Sequence, residues 1–269
     1  MSEPSHRQAR VVAIIQGRMS STRLPGKILA EIAGHPMLQH VYERVRQAKS
    51  LSQVLVATST DPSDDPTAEF CARHAIPFAR GSLHDVLDRY YQAARIADAD
   101  VIVRITADCP LIDPQLIDDA VTTLRMGGYD FVCNRLPPPW HRTYPIGLDV
   151  EVCTFAALER AWQEADQPYQ REHVMPYLYE GSLLAPHSPS LEAGHSPRGF
   201  RLALLHAPAD YGHYRWTVDT AEDLEFVRRV FASFPGRNDF SWQEVLELVQ
   251  AHPEWVALNA HVQHKTLYD

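Results

Sequence analysis

"VVAIIQGRMSSTRLPGK", residues Val11–Lys27, joins a short apolar run to a loop crowded with cations. Val11–Ile15 shows no polar alternation and is rich in β-branched residues, the signature of a strand covered on both faces. Strands of that kind belong to parallel sheets flanked by helices. The loop then sets Arg18, Arg23 and Lys27 beside Gly17, Pro25 and Gly26. Like charges so close repel one another unless something anionic lies among them. A phosphate ligand, carboxylates from elsewhere in the fold, or water alone would each serve. Loops leaving the first strand of an α/β sheet commonly hold phosphates through backbone N–H groups, and Gly17 stands where such a turn begins. Lys27 is followed by Ile28 and Ser21 stands five residues before Gly26, so this is not GxxxxGK[ST]; it is not GxGxxG either. Binding here would rest on side-chain cations.

Outward from this loop, strand and helix alternate. Helical spacing of Leu38, Val41 and Val45 predicts a helix over 37–47, and "QVLVATST" (53–60) predicts a second strand. A helix over 64–74 and a short strand "IPFAR" (76–80) follow. "SLHDVLDRYYQAARIA" reads as a helix with Ser82 at its N-cap and Asp85 near the capping-box position. "DVIVRITADCPLI" holds another central strand, a helix runs from Pro114 to Met126, and "YDFVCN" is the next strand. Alternation of this kind predicts an α/β fold with a doubly wound, mostly parallel sheet and ligands at the carboxyl ends of its strands.

The pattern breaks at "NRLPPPWHRTYPIGLDVEV" (134–152), where the prolines argue for an ordered loop or arm without a central strand. Helices are expected from Thr154 to Ala165 and over "YQREHVMPYLYEG" up to Pro176. "APHSPSLEAGHSPRG" (185–199) reads as a flexible loop. "FRLALLH" and "YRWTVD" read as strands, Thr220 as a helix cap with Asp223 in the capping-box position, and 242–250 as a last helix. The organisation expected is a disordered tail over 1–10 and one domain over 11–269 with an insertion at about 135–200.

The net charge of -9 argues against a generic nucleic-acid binder and favours a small anion at the one basic loop. Cys71, Cys109, Cys133 and Cys153 form no CxxC pair, so reduced thiols are expected. The fourteen histidines include no HExxH. MSEPSHRQAR lacks the apolar core of a signal peptide and VVAII is too short to span a bilayer, so a cytoplasmic location is expected.

Two acids stand at strand ends. Asp108 in "RITADCPLID" should project from the sheet's carboxyl edge, while Asp113 suits a cap on the Pro114 helix. Asp219 in "YRWTVDTAEDL" precedes the Thr220 cap. Two such aspartates on the edge that carries the basic loop suit a cation held against a triphosphate.

"QGRMSSTRLPGK", "GSLHDVLDRYYQAA", "RITADCPLIDP", "RTYPIGLDVEV", "REHVMPYLYE" and "VDTAEDL" occur in this order between about Val11 and Phe234. Together they resemble the spore coat polysaccharide biosynthesis type of cytidylyltransferase, related to CMP-Kdo and CMP-sialic acid synthetases. The resemblance implies a Rossmann-like nucleotide-diphospho-sugar transferase fold with an inserted dimerisation and acceptor-binding arm. It implies that Arg18, Ser21, Arg23 and Lys27 embrace the triphosphate of CTP, with the three cations catalytic. Gly81, Ser82 and Asp85 would lie near the base and ribose, and Arg104 would face the nucleotide. Asp108 and Asp219 would bind Mg2+. Arg142, Tyr144, Asp149, Arg171, Glu172 and His173 are the acceptor-side candidates, and a homodimer is implied.

The chemistry so implied is in-line attack of an acceptor oxygen on the α-phosphorus of CTP with loss of pyrophosphate, the acceptor being a sugar acid or another small anion. The nearest alternative is a nucleotide-sugar-dependent glycosyltransferase of the same fold. Such enzymes carry a DxD motif, and Asp108-Cys109-Pro110 lacks its second acid. A non-catalytic nucleotide-binding relative is the other alternative.

Overall fold

The first strand pairs on both sides with parallel partners, as its unbroken apolar run requires. In the computed structural model, which describes residues 9–263, β1 (Val11–Gln16) is buried along its first five residues. A small hairpin, β2 (Glu31–Ile32) and β3 (His35–Pro36), follows the basic loop and leads into α1 (Met37–Val45). Then come β4 (Gln53–Ser59), α2 (Asp65–Arg73), β5 (Phe78–Gly81), α3 (Val86–Ile96) and β6 (Val101–Thr106). α4 (Pro114–Gly127), β7 (Phe131–Cys133), β8 (Glu151–Thr154), α5 (Phe155–Glu164), α6 (Pro168–His173) and α7 (Pro176–Tyr179) follow. β9 (Leu183–Ser188), β10 (Leu191–His195), β11 (Arg201–Leu205), α8 (Ala221–Ala232), α9 (Trp242–Ala251) and α10 (Pro253–Val256) complete the order.

The main sheet runs β5-β4-β1-β6-β8-β7-β11-β10-β9. β8 and β10 oppose the direction of the rest, so the sheet is mostly parallel, as expected. Each face carries its own apolar layer. Val11, Ala13 and Ile15 meet α1, α4, α8 and α9 on one side. Val12 and Ile14 meet α3, α5 and α7 on the other. All four cysteines are buried and free. Among the described residues no helix is long and apolar enough to cross a membrane.

Several expectations are corrected. The proline-rich stretch does end in a central strand: β8 lies antiparallel between β6 and β7, with Arg104 opposite Glu151 in the register. A glutamate within so short a strand hid its β character; its partner Arg104 explains its tolerance there. Residues 185–199 largely form the β9–β10 hairpin, and Pro186 sits on the edge strand, where a missing donor costs little. "YRWTVD" makes only an isolated bridge, Ile146 with Arg215. Ser82 is not the N-cap of α3. Asp85 is, accepting from Asp88 N at 2.9 Å, while Ser82 Oγ accepts from Asp85 N at 3.0 Å. The helix expected to run to Pro176 ends at His173, because Val174 turns to φ 72 before Pro176 starts α7. Of the tail over 1–10, residues 1–8 lie outside the described residues; Arg10 N donates to Asp100 Oδ2 at 2.6 Å.

Two backbone seams then set the site. Trp216 N donates to Ile146 O at 2.7 Å and Val218 N to Asp108 O at 2.8 Å, which brings the segment before α8 alongside the end of β6. Gly147 faces it with φ +105, and a Cβ there would stand 2.5 Å from Thr217 N. Gly147→Ala is therefore expected to destabilise the protein by about 1–3 kcal/mol, read as a lower urea midpoint at unchanged slope.

Candidate active site

The carboxyl ends of β1 and β6, with the amino end of the antiparallel β8, open into a cleft of about 390 Å³. The basic loop enters it through a turn at Gly26, φ 72, which starts a short 3-10 helix at Lys27. That turn sends Lys27 inward. Its ammonium, 9% exposed, donates to Asp108 Oδ2 at 2.7 Å, Asp219 Oδ1 at 2.8 Å and Val218 O at 2.8 Å. So part of the question posed by the crowded cations is answered within the protein: two carboxylates neutralise the innermost one.

Asp219 is shared further. Arg23 Nη2 stands 2.9 Å from its Oδ2 and Arg215 Nη2 donates to the same oxygen at 2.8 Å. Arg215 also reaches Asp223 at 2.9 Å, and Asp223 Oδ2 accepts from Asp219 N and Thr220 N, as the capping box anticipates. Burial would raise the Asp219 carboxyl, but Lys27, Arg23 and Arg215 outweigh it and hold the group at about 2. Burial would likewise raise Asp108, and Lys27 keeps it below the ordinary carboxylate value. For Lys27 the signs reverse: burial would lower it, and the two aspartates hold it above the ordinary lysine value. All three groups are therefore charged at neutral pH. The Cys109 thiol between them and Thr217 is pushed up by burial and by Asp108, so it is no nucleophile.

Other sequence candidates meet in the same cleft. Gly17, Ser21, Arg18 and Arg23 form its loop wall, and Asp149, Glu172 and His173 line the other side. Arg18 approaches Glu172 at 3.8 Å with both side chains largely exposed, a contact worth little. Arg104 pairs with buried Glu151 and donates to Gln16 Oε1 at 3.3 Å, so its charge is already committed inside the cleft.

The remaining candidates do not line it. Arg171 makes paired contacts with Asp85, the shortest 2.6 Å, and donates to Trp162 O, fastening α6 to the start of α3. Gly81 lies against the Arg89 side chain, whose Nη1 donates to Ser82 O at 2.6 Å. Arg142 clamps Asp149 from behind at 2.7 and 3.3 Å. Tyr144 opens instead on a second cavity of about 280 Å³ with Asn134 and His206, its phenol pushed up to about 12 by burial. Sequence reasoning missed Arg135, Arg215 and Glu151. The spacing of Arg215, Asp219 and Asp223 was a signal available in the sequence; Arg135, among prolines, offered none.

The donor set around the Lys27 ammonium is all oxygen: two carboxylates and a carbonyl. Such a set suits a hard cation such as Mg2+, which takes one or two carboxylates and completes its shell with water and phosphate oxygens.

Residues 12–230 match the cytidylyltransferase family. Spore coat polysaccharide biosynthesis protein SpsF of Bacillus subtilis is 31% identical over 250 residues, covering 91% of this chain and 95% of that protein. The 3-deoxy-manno-octulosonate cytidylyltransferase of Solibacter usitatus is 34% identical over 247 residues, 82% of this chain and 94% of that protein. A solved cytidylyltransferase from Leptospira borgpetersenii superposes with a TM-score of 0.81 at 31% identity, over 96% of this chain and 100% of that one. With the cationic loop and the strand-end carboxylates meeting in one cleft, this chain belongs to the cytidylyltransferase family and is a CTP-dependent nucleotidyltransferase.

Proposed function

We propose that this enzyme transfers CMP from CTP to a small anionic acceptor, a sugar acid or phosphate-like compound, for a surface polysaccharide precursor. The observation that carries this is the convergence of Arg18, Arg23 and Lys27 with Asp108 and Asp219 in one cleft. The names of the relatives, a spore coat polysaccharide protein and a 3-deoxy-manno-octulosonate cytidylyltransferase, supply the acceptor class.

An acceptor oxygen attacks the α-phosphorus in line, and the bond to the β-phosphate oxygen breaks with its electron pair leaving on pyrophosphate. Arg18, Arg23 and Lys27 offset the charge that grows on this leaving group. Asp108 and Asp219 are the residues that would hold Mg2+, which when bound would neutralise phosphate charge and acidify an attacking hydroxyl. Lys27 fits that role as a partner: its ammonium already sits between these carboxylates as a stand-in cation. His173, at the C-terminal end of α6 and lining the cleft, takes the proton of an acceptor hydroxyl; an acceptor attacking through an ionised phosphate oxygen needs no base. In this reading the α6 segment faces the acceptor, and the basic loop faces the triphosphate.

Calorimetric titration of CTP, UTP, ATP and GTP in the presence of Mg2+ tests the reading without knowledge of the acceptor. CTP is expected to bind most tightly. Binding of a nucleoside diphosphate sugar with no triphosphate binding at all would sink the proposal and return the glycosyltransferase alternative.

A further inference from the structure

Among the described residues five arginines and lysines line the cleft. Arg23 meets Asp219, Lys27 meets Asp108 and Asp219, and Arg104 meets Glu151, while Arg18 in the basic loop approaches Glu172 only loosely at 3.8 Å. The remaining carboxylate of the lining, Asp149, is clamped by Arg142. Arg135 also lines the cleft and is half-buried, and among the described residues it meets no carboxylate within ion-pair reach.

Its place is fixed by the sheet. Arg135 follows β7 after Asn134, close to the buried Cys133 thiol. Its charge is felt by Cys133 and by Tyr179 of α7. Tyr179 feels Arg104 and Glu151 as well, so two guanidinia flank one buried carboxylate on this side of the cleft. One of the two positive charges is left without a partner.

Distance separates this charge from the phosphate loop. β1 and β7 are three strand spacings apart in the order β1-β6-β8-β7, about 14 Å at their ends. The backbone of Arg135 therefore stands across the sheet edge from that of the phosphate loop.

We infer that Arg135 is the residue that reads the acceptor's anionic group, a carboxylate or phosphate held by the guanidinium fork at the β7 edge, apart from the triphosphate. The inference rests on the proposed transfer to an anionic acceptor and makes it specific. A planar guanidinium with free donors takes an oxyanion through two parallel hydrogen bonds. A neutral sugar offers no charge to match it, so Arg135 selects acceptors by charge before any hydroxyl is brought to the α-phosphorus. Asp149, held back by Arg142 on the same wall, discourages an anion from settling elsewhere on that side.

The test uses the full chain saturated with CTP and Mg2+, titrated separately with inorganic phosphate and with glycolate, a small hydroxy-carboxylate. Arginine Nε–Hε signals are followed by NMR, with the Arg135 signal identified by its loss in Arg135→Met. At least one anion is expected to move that signal, and Arg135→Met is expected to bind that anion at least tenfold more weakly while its CTP affinity changes less than twofold. A response to glycolate alone assigns a carboxylate acceptor; a response to phosphate alone assigns a phosphate. If neither anion moves the signal, or if Arg135→Met binds them as wild type does, the inference is overturned. Failure of wild type to bind CTP is a separate result and would strike the proposed function instead.

Discussion

Lys27→Ala is expected to lower turnover about 10²- to 10³-fold, the scale of removing one preorganised electrostatic stabiliser from an active site. The residue is not a surface cation that water could replace. It is buried, holds three oxygens at 2.7–2.8 Å, and bridges the ends of β6 and of the segment before α8. Lys27→Arg is expected to rescue little, because a planar fork cannot occupy a point where three acceptors converge. The same geometry gives a second readout that needs no acceptor. With the ammonium gone, Asp108 and Asp219 Oδ1 lose the cation between them while Arg23 and Arg215 stay on Asp219 Oδ2, so Lys27→Met should bind Mn2+ more tightly than wild type in the absence of nucleotide. Electron paramagnetic resonance of free Mn2+ measures this directly. Wild-type turnover in Lys27→Ala, or Mn2+ affinity unchanged in Lys27→Met, would remove the residue from the phosphate and metal chemistry assigned to it.

Arg44→Met is expected to be the costliest change away from the cleft, at about 3–5 kcal/mol. Arg44 on α1 is fully buried, and its guanidinium donates to the backbone carbonyls of Ile112, Asn238 and Phe240 at 2.7–3.1 Å while lying over the Phe240 ring. Burial lowers its pKa to about 10, so it stays charged at neutral pH although among the described residues no carboxylate pairs with it. Asn238 O also accepts from Gln47 Nε2 at 2.9 Å, while the carbonyls of Ile112 and Phe240, from two distant segments, depend on this one side chain. Methionine fills the volume and offers no donor, leaving those carbonyls dry and unpaired. For a chain of this size the loss corresponds to a melting temperature lower by about 6–20 °C. The folded variant should keep its CTP affinity at low temperature, because Arg44 does not line the cleft. A shift under 2 °C would show that water enters to satisfy the carbonyls.

Much of this was legible in the sequence because the central strands carry their burial openly. Val11–Ile15 and Val101–Ile105 are almost wholly apolar, and only a two-faced parallel sheet uses such runs. Asp108 was legible for a related reason: a charge at the end of a buried run must emerge at the strand's carboxyl edge, whereas Asp219 was marked by the Thr220 cap that follows it and Lys27 by the cations crowded into its loop. β8 was not, since Glu151 looks like a solvent-facing residue until Arg104 is placed across from it. The β9–β10 hairpin was hidden by its own edge position, where proline and polar residues are tolerated and turn composition imitates a loop. Arg142 and Arg171 are acceptor-side candidates through the family resemblance; their carboxylate partners, Asp149 and Asp85, come from positions that no local pattern connects.

The bridge from Lys27 to Asp219 also orders events on the ribosome. Its two ends are 192 residues apart, so a chain that has emerged only as far as Asp108, two residues past β6, already carries the whole phosphate loop and one acid but not the acid that completes the ammonium's cage. The half-sheet β5-β4-β1-β6 can pair early, since every strand in it lies within the first 106 residues. β6 must then wait with one edge open until β8 arrives some fifty residues later and fills the slot from the opposite direction. The ammonium's cage is thus completed only when Asp219 emerges, and a chain released before it would carry a basic loop with half the internal counter-charge of Lys27 missing.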